Sequence, residues 1–341
     1  MNSLGLTISL ILLLLVILFA VLVFIFLPII ISRSPYLLRK ALFTTGGAAT
    51  DKLYYDQNTK LGVRNFYVTF KDESGKDINI GVYHFLPKDY ILNQTEDISL
   101  LDYDKLLWDS PYSVLLLFHG RGQSRASFGS KYEMLSKLFH VIVFDYRCFG
   151  DSSRAFLTEH GLVMDCVLLF KWLKSRTSSS IYVWGQSLGS AVCIETVYIL
   201  DKENVIPKGM ILESSFTNLR EAVLESPVGR IFSWIPWFSV LIDGYNKNGF
   251  LFKSSIHLSQ IRCPVMILHA VDDKIIPFHQ GIKLYEVVMR RPIKLNVAKF
   301  LPIAASYECG HDFIYKFPNF TNHILDFMNV CDSEFNLTEV I

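Results

Sequence analysis

The sequence predicts an α/β protein, a mostly parallel, doubly wound sheet behind one N-terminal transmembrane helix. Three observations carry this reading. Short apolar runs without alternation recur between helical stretches, as strands buried on both faces of a parallel sheet require. A Gly-x-Ser-x-Gly turn, Gly185–Gly189, joins one such run to a helical pattern. From Leu4 to Ile31 the chain is almost continuously apolar, and Arg33 is its first charged side chain.

At the rise of a helix that N-terminal run is about 40 Å long, enough to cross the roughly 30 Å hydrocarbon layer with some tilt. A cleaved signal peptide fits less well. No basic residue precedes the run, its length is about twice that of the usual apolar region, and no A-x-A site ends it. Residues 1–32 therefore read as a retained anchor, 33–60 as a polar juxtamembrane linker with a turn at Gly46-Gly-Ala-Ala49, and 61–330 as a single folded domain. Arg33, Arg39, Lys40 and Lys52 follow the span, which by the positive-inside rule puts the domain in the cytosol. The sequons at Asn93, Asn319 and Asn336 point to a lumen, where they would be glycosylated.

Bulk composition excludes some classes. The net charge is +1 with no block of like charge, so nucleic acid is not an expected partner. The six cysteines are widely spread and form no C-x-x-C pair, which removes zinc and thioredoxin-like readings and leaves packing thiols.

Along the domain, Phe66–Phe70 and Ile78–Phe85 form a predicted hairpin. Lys88–Asp109 reads as a polar loop. Buried strands follow at Val114–Phe118, Val141–Phe144, Tyr182–Trp184, Met210–Leu212 and Val265–Leu268. Helices are predicted over Lys131–Phe139, Glu159–Lys174, Leu188–Leu200, Gln280–Met289 and Ile314–Met328, an alternation that argues for the doubly wound class. Residues 224–258 interrupt it with an aromatic-rich insertion. It is either a helical pair burying its own apolar face or a cap presenting Trp234, Trp237 and Phe238 to an acyl chain or to the bilayer interface.

The chemistry is read from Gly185-Gln-Ser-Leu-Gly189. A strand leads into this motif and a helix leaves it, so Ser187 sits at the apex of a sharp turn, the nucleophile elbow of the α/β-hydrolase fold. A serine hydroxyl needs a base to take its proton, and in this fold the partners follow in the order Ser, acid, His. The loop after Val265–Leu268 offers Asp272 and Asp273, between which spacing does not choose. Among nine histidines, His311 lies in a loop after the last predicted strand, where the base belongs. His119 is expected to shape the loop it begins and His269 to be buried in a strand, while His140, His160, His279 and His323 read as surface residues. An oxyanion needs two donors, here the main-chain N–H groups of Leu188 and of Arg121 in His119-Gly-Arg-Gly-Gln123. No metal or organic cofactor is required by such a mechanism.

Phe144-Asp-Tyr-Arg147, Trp184-Gly-Gln-Ser-Leu-Gly189, Leu212-Glu-Ser-Ser-Phe-Thr-Asn218, Leu268-His-Ala-Val-Asp-Asp273 and Ile314-Tyr-Lys316 add a resemblance. The chain resembles the membrane-anchored α/β-hydrolase lipases of the endoplasmic reticulum that act on lysophosphatidylserine and monoacylglycerol. The resemblance implies Asp273 rather than Asp272 as the acid and supports His311. It also implies a lipid ester as substrate, the bilayer as a partner, and a single span in the endoplasmic reticulum membrane with the domain in the lumen. Two departures stand out: Arg121-Gly-Gln replaces the usual Asn-Ala-Gly of the oxyanion loop, and Cys148 replaces a glycine. Two other readings fit the same residues, a cytosol-facing protein depalmitoylase and a catalytically inactive scaffold.

Overall fold

The computed structural model describes residues 3–43, 62–92, 101–293 and 297–338. Helix α1 (Ser3–Val21) passes through a π-helical turn at Leu22–Phe26 into α2 (Leu27–Arg33). Pro28 accounts for the wide turn: it has no N–H to donate, and its ring crowds the carbonyl four residues back. The Gly5–Arg33 helix is long and apolar enough to cross a membrane, and none of its most apolar stretch is buried by the rest of the protein.

Part of the expected polar linker is instead helix α3 (Pro35–Phe43), with Leu38, Leu42 and Phe43 buried. The four-residue spacing of Leu38 and Leu42 puts them on one face. Phe43 packs edge-on against Phe149 and Phe250, with ring centroids 6.3 and 5.4 Å apart. Linker residues 44–60, including the Gly46–Ala49 turn and Lys52, lie outside the described residues, as does the Asn93 sequon.

Strands β1 (Val63–Lys71) and β2 (Asp77–Phe85) form the expected hairpin, closed by Asp72, whose carboxylate accepts from the Ser74 and Lys76 N–H groups. The stretch read as a polar loop carries two short helices, α4 (Lys88–Leu92) and α5 (Tyr103–Trp108). The second is capped by the Asp102 carboxylate. Then β3 (Ser113–Phe118), α6 (Gly129–Leu135), β4 (Phe139–Phe144), α7 (Glu159–Lys174), β5 (Ile181–Gln186), α8 (Leu188–Lys202) and β6 (Gly209–Glu213) alternate. Helix α6 ends four residues before the expected Phe139, which already begins β4.

Between β6 and β7 (Val265–Ala270) lie α9 (Leu219–Glu225), α10 (Pro227–Phe232), α11 (Pro236–Lys247) and α12 (Ser254–Leu258). The chain finishes with α13 (Phe278–Met289), β8 (Ala298–Ile303) and α14 (Phe320–Thr338). The helix expected over Ile314–Met328 is broken. Ile314–Lys316 is a single 3-10 turn, and Phe317 is extended (ψ 136°) before Pro318, as a residue preceding proline prefers.

The strand order is β1-β2-β4-β3-β5-β6-β7-β8; β2 runs antiparallel to both neighbours and β3 to β8 are parallel. On β3, Val114, Leu116 and Phe118 enter one hydrophobic cluster while Leu115 and Leu117 enter the other. Both faces are therefore covered, which is why the run is apolar without alternation. The order reverses at β3, between β4 and β5. In open α/β sheets the crevice beyond the carboxyl ends of the strands at such a reversal is where ligands bind.

Candidate active site

Ser187 stands alone between β5 and α8 with φ 53° and ψ −120°, a strained backbone for an L-residue. Its N–H donates to the Glu213 carbonyl at 2.9 Å, tying the turn to the end of β6. Gly189 lets α8 approach β3 closely: a Cβ there would lie 2.2 Å from the Phe118 carbonyl oxygen.

The two adjacent aspartates after β7 face different partners. Asp273 Oδ1 accepts from the Ile275 and Ile276 N–H groups, each at 2.9 Å, and its Oδ2 lies 2.8 Å from His311 Nδ1. Asp272 Oδ2 instead accepts the Gly310 N–H at 3.0 Å and so fixes the loop before His311. His311 Nε2 is 2.9 Å from Ser187 Oγ. A carboxylate cannot donate, so Nδ1 carries the ring proton and Nε2 is left to accept from the serine hydroxyl. The structure thus brings Ser187, His311 and Asp273 into one hydrogen-bonded line.

Burial works against the Asp273 carboxylate, but the neighbouring His269 and the hydrogen bond from His311 outweigh it and hold its carboxyl well below the usual range. Burial likewise works against a charged His311, yet the bond to Asp273 and its negative charge raise the imidazole above its ordinary value. The pair therefore favours a protonated His311 beside an ionised Asp273, the arrangement a general base needs after it has taken a proton.

The loop after β3 faces the elbow. The Gly120 N–H is taken by Gln123 Oε1 at 2.7 Å, so the next N–H in the loop is that of Arg121. The Leu188 N–H heads α8 and lacks an intrahelical acceptor by geometry. The Arg121 side chain leaves the loop and donates from Nη2 to the Ala41 carbonyl at 2.8 Å. His119 is buried, its Nδ1 2.9 Å from the Gly120 carbonyl, and burial pushes its pKa down to about 4. It shapes the loop from within.

Three supporting residues escaped the sequence reading. Asp312 Oδ1 accepts from Gln123 Nε2 and Gln186 Nε2, each at 3.3 Å, so one carboxylate stitches the loop after β3, the elbow and the His311 loop together. Each was in view, at the end of the His-Gly loop, inside the serine motif and directly after His311, but only the fold joins them. Beneath the elbow a fully buried Lys131–Glu213 ion pair is completed by Gln186 Oε1, 3.2 Å from Lys131 Nζ, and by Trp184 Nε1, which donates to Glu213 at 2.8 Å.

The remaining expectations divide. Trp234 is 78% exposed, whereas Phe238 is buried; the Trp237 side chain lies outside the described residues. Asn319 is exposed, with φ 58°, at the start of the last helix, and Asn336 falls in the final turns of α14. His140 is not a surface residue as read from sequence. It is buried, with Nδ1 2.9 Å from His84 Nε2 and Nε2 2.8 Å from Ser110 Oγ. A histidine at the start of a short strand beside a covered sheet face has no solvent to reach.

Among known proteins, the family model described as serine aminopeptidase, S33, matches residues 109–247. The lysophosphatidylserine lipase ABHD12 of Danio rerio is 35% identical over 271 residues, which cover 77% of this chain and 69% of the relative. That of Mus musculus is 32% identical over 276 residues, covering 79% and 68%. The chain belongs to the ABHD12 family. A Pyrococcus furiosus esterase superposes with a TM-score of 0.53 at 17% identity, over 79% of this chain and 93% of the esterase, and shares the α/β-hydrolase fold. As an ABHD12-family member the protein is a serine ester hydrolase.

Proposed function

We propose that the protein cleaves the acyl ester of a lysophospholipid of the lysophosphatidylserine kind, or of a monoacylglycerol, through an acyl-enzyme on Ser187. The observation that carries this is the position of His311, 2.9 Å from Ser187 Oγ and 2.8 Å from Asp273 Oδ2. His311 takes the hydroxyl proton as Ser187 Oγ attacks the ester carbonyl, and Asp273 steadies the imidazolium. The carbonyl oxygen, now negative, is held by the Leu188 and Arg121 N–H groups; one such donor is typically worth about 3 kcal/mol in the transition state. The glycerol-side oxygen leaves with the proton from His311. Water, deprotonated in turn by His311, attacks the acyl-serine and releases the fatty acid, restoring Ser187.

The substrate class is supported by the named activity of the relatives and by the apolar N-terminal span, which would hold the enzyme where lipid is concentrated. The same reading makes it a single-pass protein of the endoplasmic reticulum membrane with its hydrolase domain in the lumen. The exposed Asn319 sequon supports that side. A cytosol-facing protein depalmitoylase draws on a different observation, Arg33, Arg39 and Lys40 at the foot of the span. A mobility shift on glycosidase treatment of the cellular protein decides between them: a shift fits the lumen, and none at any of the three sequons favours the cytosol.

The activity is tested by turnover of lysophosphatidylserine and monoacylglycerol in detergent, wild type beside Ser187→Ala. Hydrolysis of at least one lipid, lost in the variant, is expected. Turnover surviving in the variant would remove Ser187 as nucleophile. A wild type that reacts with a fluorophosphonate yet cleaves neither lipid would overturn the substrate.

A further inference from the structure

The foot of the N-terminal span reaches both the insertion and the loop after β3. Helix α2 meets the insertion at its last turn, where Gly244 of α11 lies so close to Ser32 that a Cβ would sit 2.8 Å from the Ser32 carbonyl oxygen and 2.9 Å from its Cα. After a single extended residue, Ser34, the chain turns into α3. The last four carbonyls of a helix have no intrahelical donors. One of them in α3, that of Ala41, accepts from the Arg121 guanidinium at 2.8 Å. A cation at a helix C-terminus is favourable there on two counts, the hydrogen bond and the helix dipole.

Arg121 begins in the loop after β3, one residue beyond the Gly120 N–H that Gln123 pins. Gln123 is in turn held by Asp312, next to His311. A second, apolar route joins the same parts. Phe43 of α3 packs on Phe149, and Phe149 packs on His119 at 5.2 Å between centroids, at the start of that loop. The Arg121 charge also acts on Tyr245 of α11, a buried phenol that desolvation raises and Arg121 draws back down. Loop, α3 and α11 thus meet at one exposed cation whose charge the ester chemistry does not use.

We propose that Arg121 is a positioning residue: its side chain latches the oxyanion loop to the helix that leaves the N-terminal span, so that the donor geometry at Ser187 depends on α3 being docked. This rests on the reading of Ser187 as the acylated residue. A guanidinium at this place could instead read the anionic head group of a lysophospholipid directly, and the two roles separate by substrate. A latch acts on the transition state of any ester, whereas a head-group contact acts only on a charged one.

The test is kcat and KM of the full-length protein in detergent for lysophosphatidylserine, which is anionic, and monoacylglycerol, which is neutral. Arg121→Met is expected to lower kcat about tenfold on both, less than the 10²–10³ that follows outright removal of an oxyanion donor, with KM and Tm little changed. Arg121→Lys, which can still reach a carbonyl, is expected to recover most of the loss. The rate of Ser187 labelling by a fluorophosphonate, which has no lipid head group, should fall by the same factor in Arg121→Met. An unchanged kcat, or a loss confined to lysophosphatidylserine and seen in KM, would overturn the latch. Failure of the underlying reading has its own signature, turnover that survives Ser187→Ala, and would take the proposal with it.

Discussion

The Ser187 site and the insertion between β6 and β7 both lie beyond the carboxyl ends of the parallel strands and are built by opposite means. Around Ser187 the carboxylates of three aspartates hold the site together by hydrogen bonds. Asp273 accepts three hydrogen bonds, Asp272 one, and Asp312 two. In the insertion, large apolar side chains face outward instead: Val228 is 58% exposed, Ile231 61% and Trp234 78%. Geometry at the first region is fixed by directional bonds whose loss leaves a buried group unsatisfied. The second is shaped by exposed apolar surface of the kind that marks contact with lipid or protein. Rate should therefore be sensitive to single atoms near Ser187, and access to side-chain bulk in the insertion.

The largest effects are expected at the hydrogen-bonded line. His311→Ala should lower kcat/KM by roughly 10⁴-fold or more, and Asp273→Asn by about 10⁴-fold, on either lipid, with the protein still folded. A pH profile sharpens this. His311 must be neutral to take the serine proton, so kcat/KM falls as pH drops through the His311 pKa, which lies above its ordinary 6.5 because Asp273 favours the charged form. The acid limb should therefore have its midpoint above 6.5 in wild type and lie lower in the residual activity of Asp273→Asn.

Next comes the buried pair beneath the elbow. Lys131→Met strands the Glu213 carboxylate and should cost about 3–5 kcal/mol in chemical denaturation, because an unpaired charge is left in the interior. Lys131→Met with Glu213→Gln should recover part of that. Smaller again is Gly244→Val, which forces α11 away from Ser32 and should cost about 1–3 kcal/mol by thermal melting. Smallest in stability is Trp234→Ala, within about 0.5 kcal/mol for so exposed a side chain. If the contrast between the regions is right, this last change should slow hydrolysis of lipid in vesicles while leaving a short-chain soluble ester untouched. Equal loss on both would place Trp234 with the chemistry instead.

Much of the sheet was legible because burial on both faces writes itself as unbroken apolar runs, and α7 is found over the residues its pattern predicts, Glu159–Lys174. What the pattern hid had local causes. Helix α3 carries Arg39 and Lys40 among its buried Leu38, Leu42 and Phe43, so it reads as polar linker. β8 is an edge strand containing Lys299 and Pro302, too mixed to stand out. The break before α14 comes from Pro318, which the apolar pattern over Ile314–Met328 masks. At the candidate site, the order Ser, acid, His could be followed along the chain, but spacing did not separate Asp272 from Asp273. Their two carboxylates meet different groups of one loop, the Gly310 N–H and the His311 ring, which only the fold reveals. Lys131 and Glu213 are 82 residues apart, and no local pattern announces such a pair.

The central claim is that Ser187, activated by His311, is the residue that becomes acylated. The most direct measurement is peptide mapping by mass spectrometry after reaction with a fluorophosphonate. A single adduct on the peptide containing Ser187 is predicted in wild type, greatly slowed in His311→Ala and absent in Ser187→Ala. An adduct on another residue, or labelling that persists undiminished in Ser187→Ala, would contradict it.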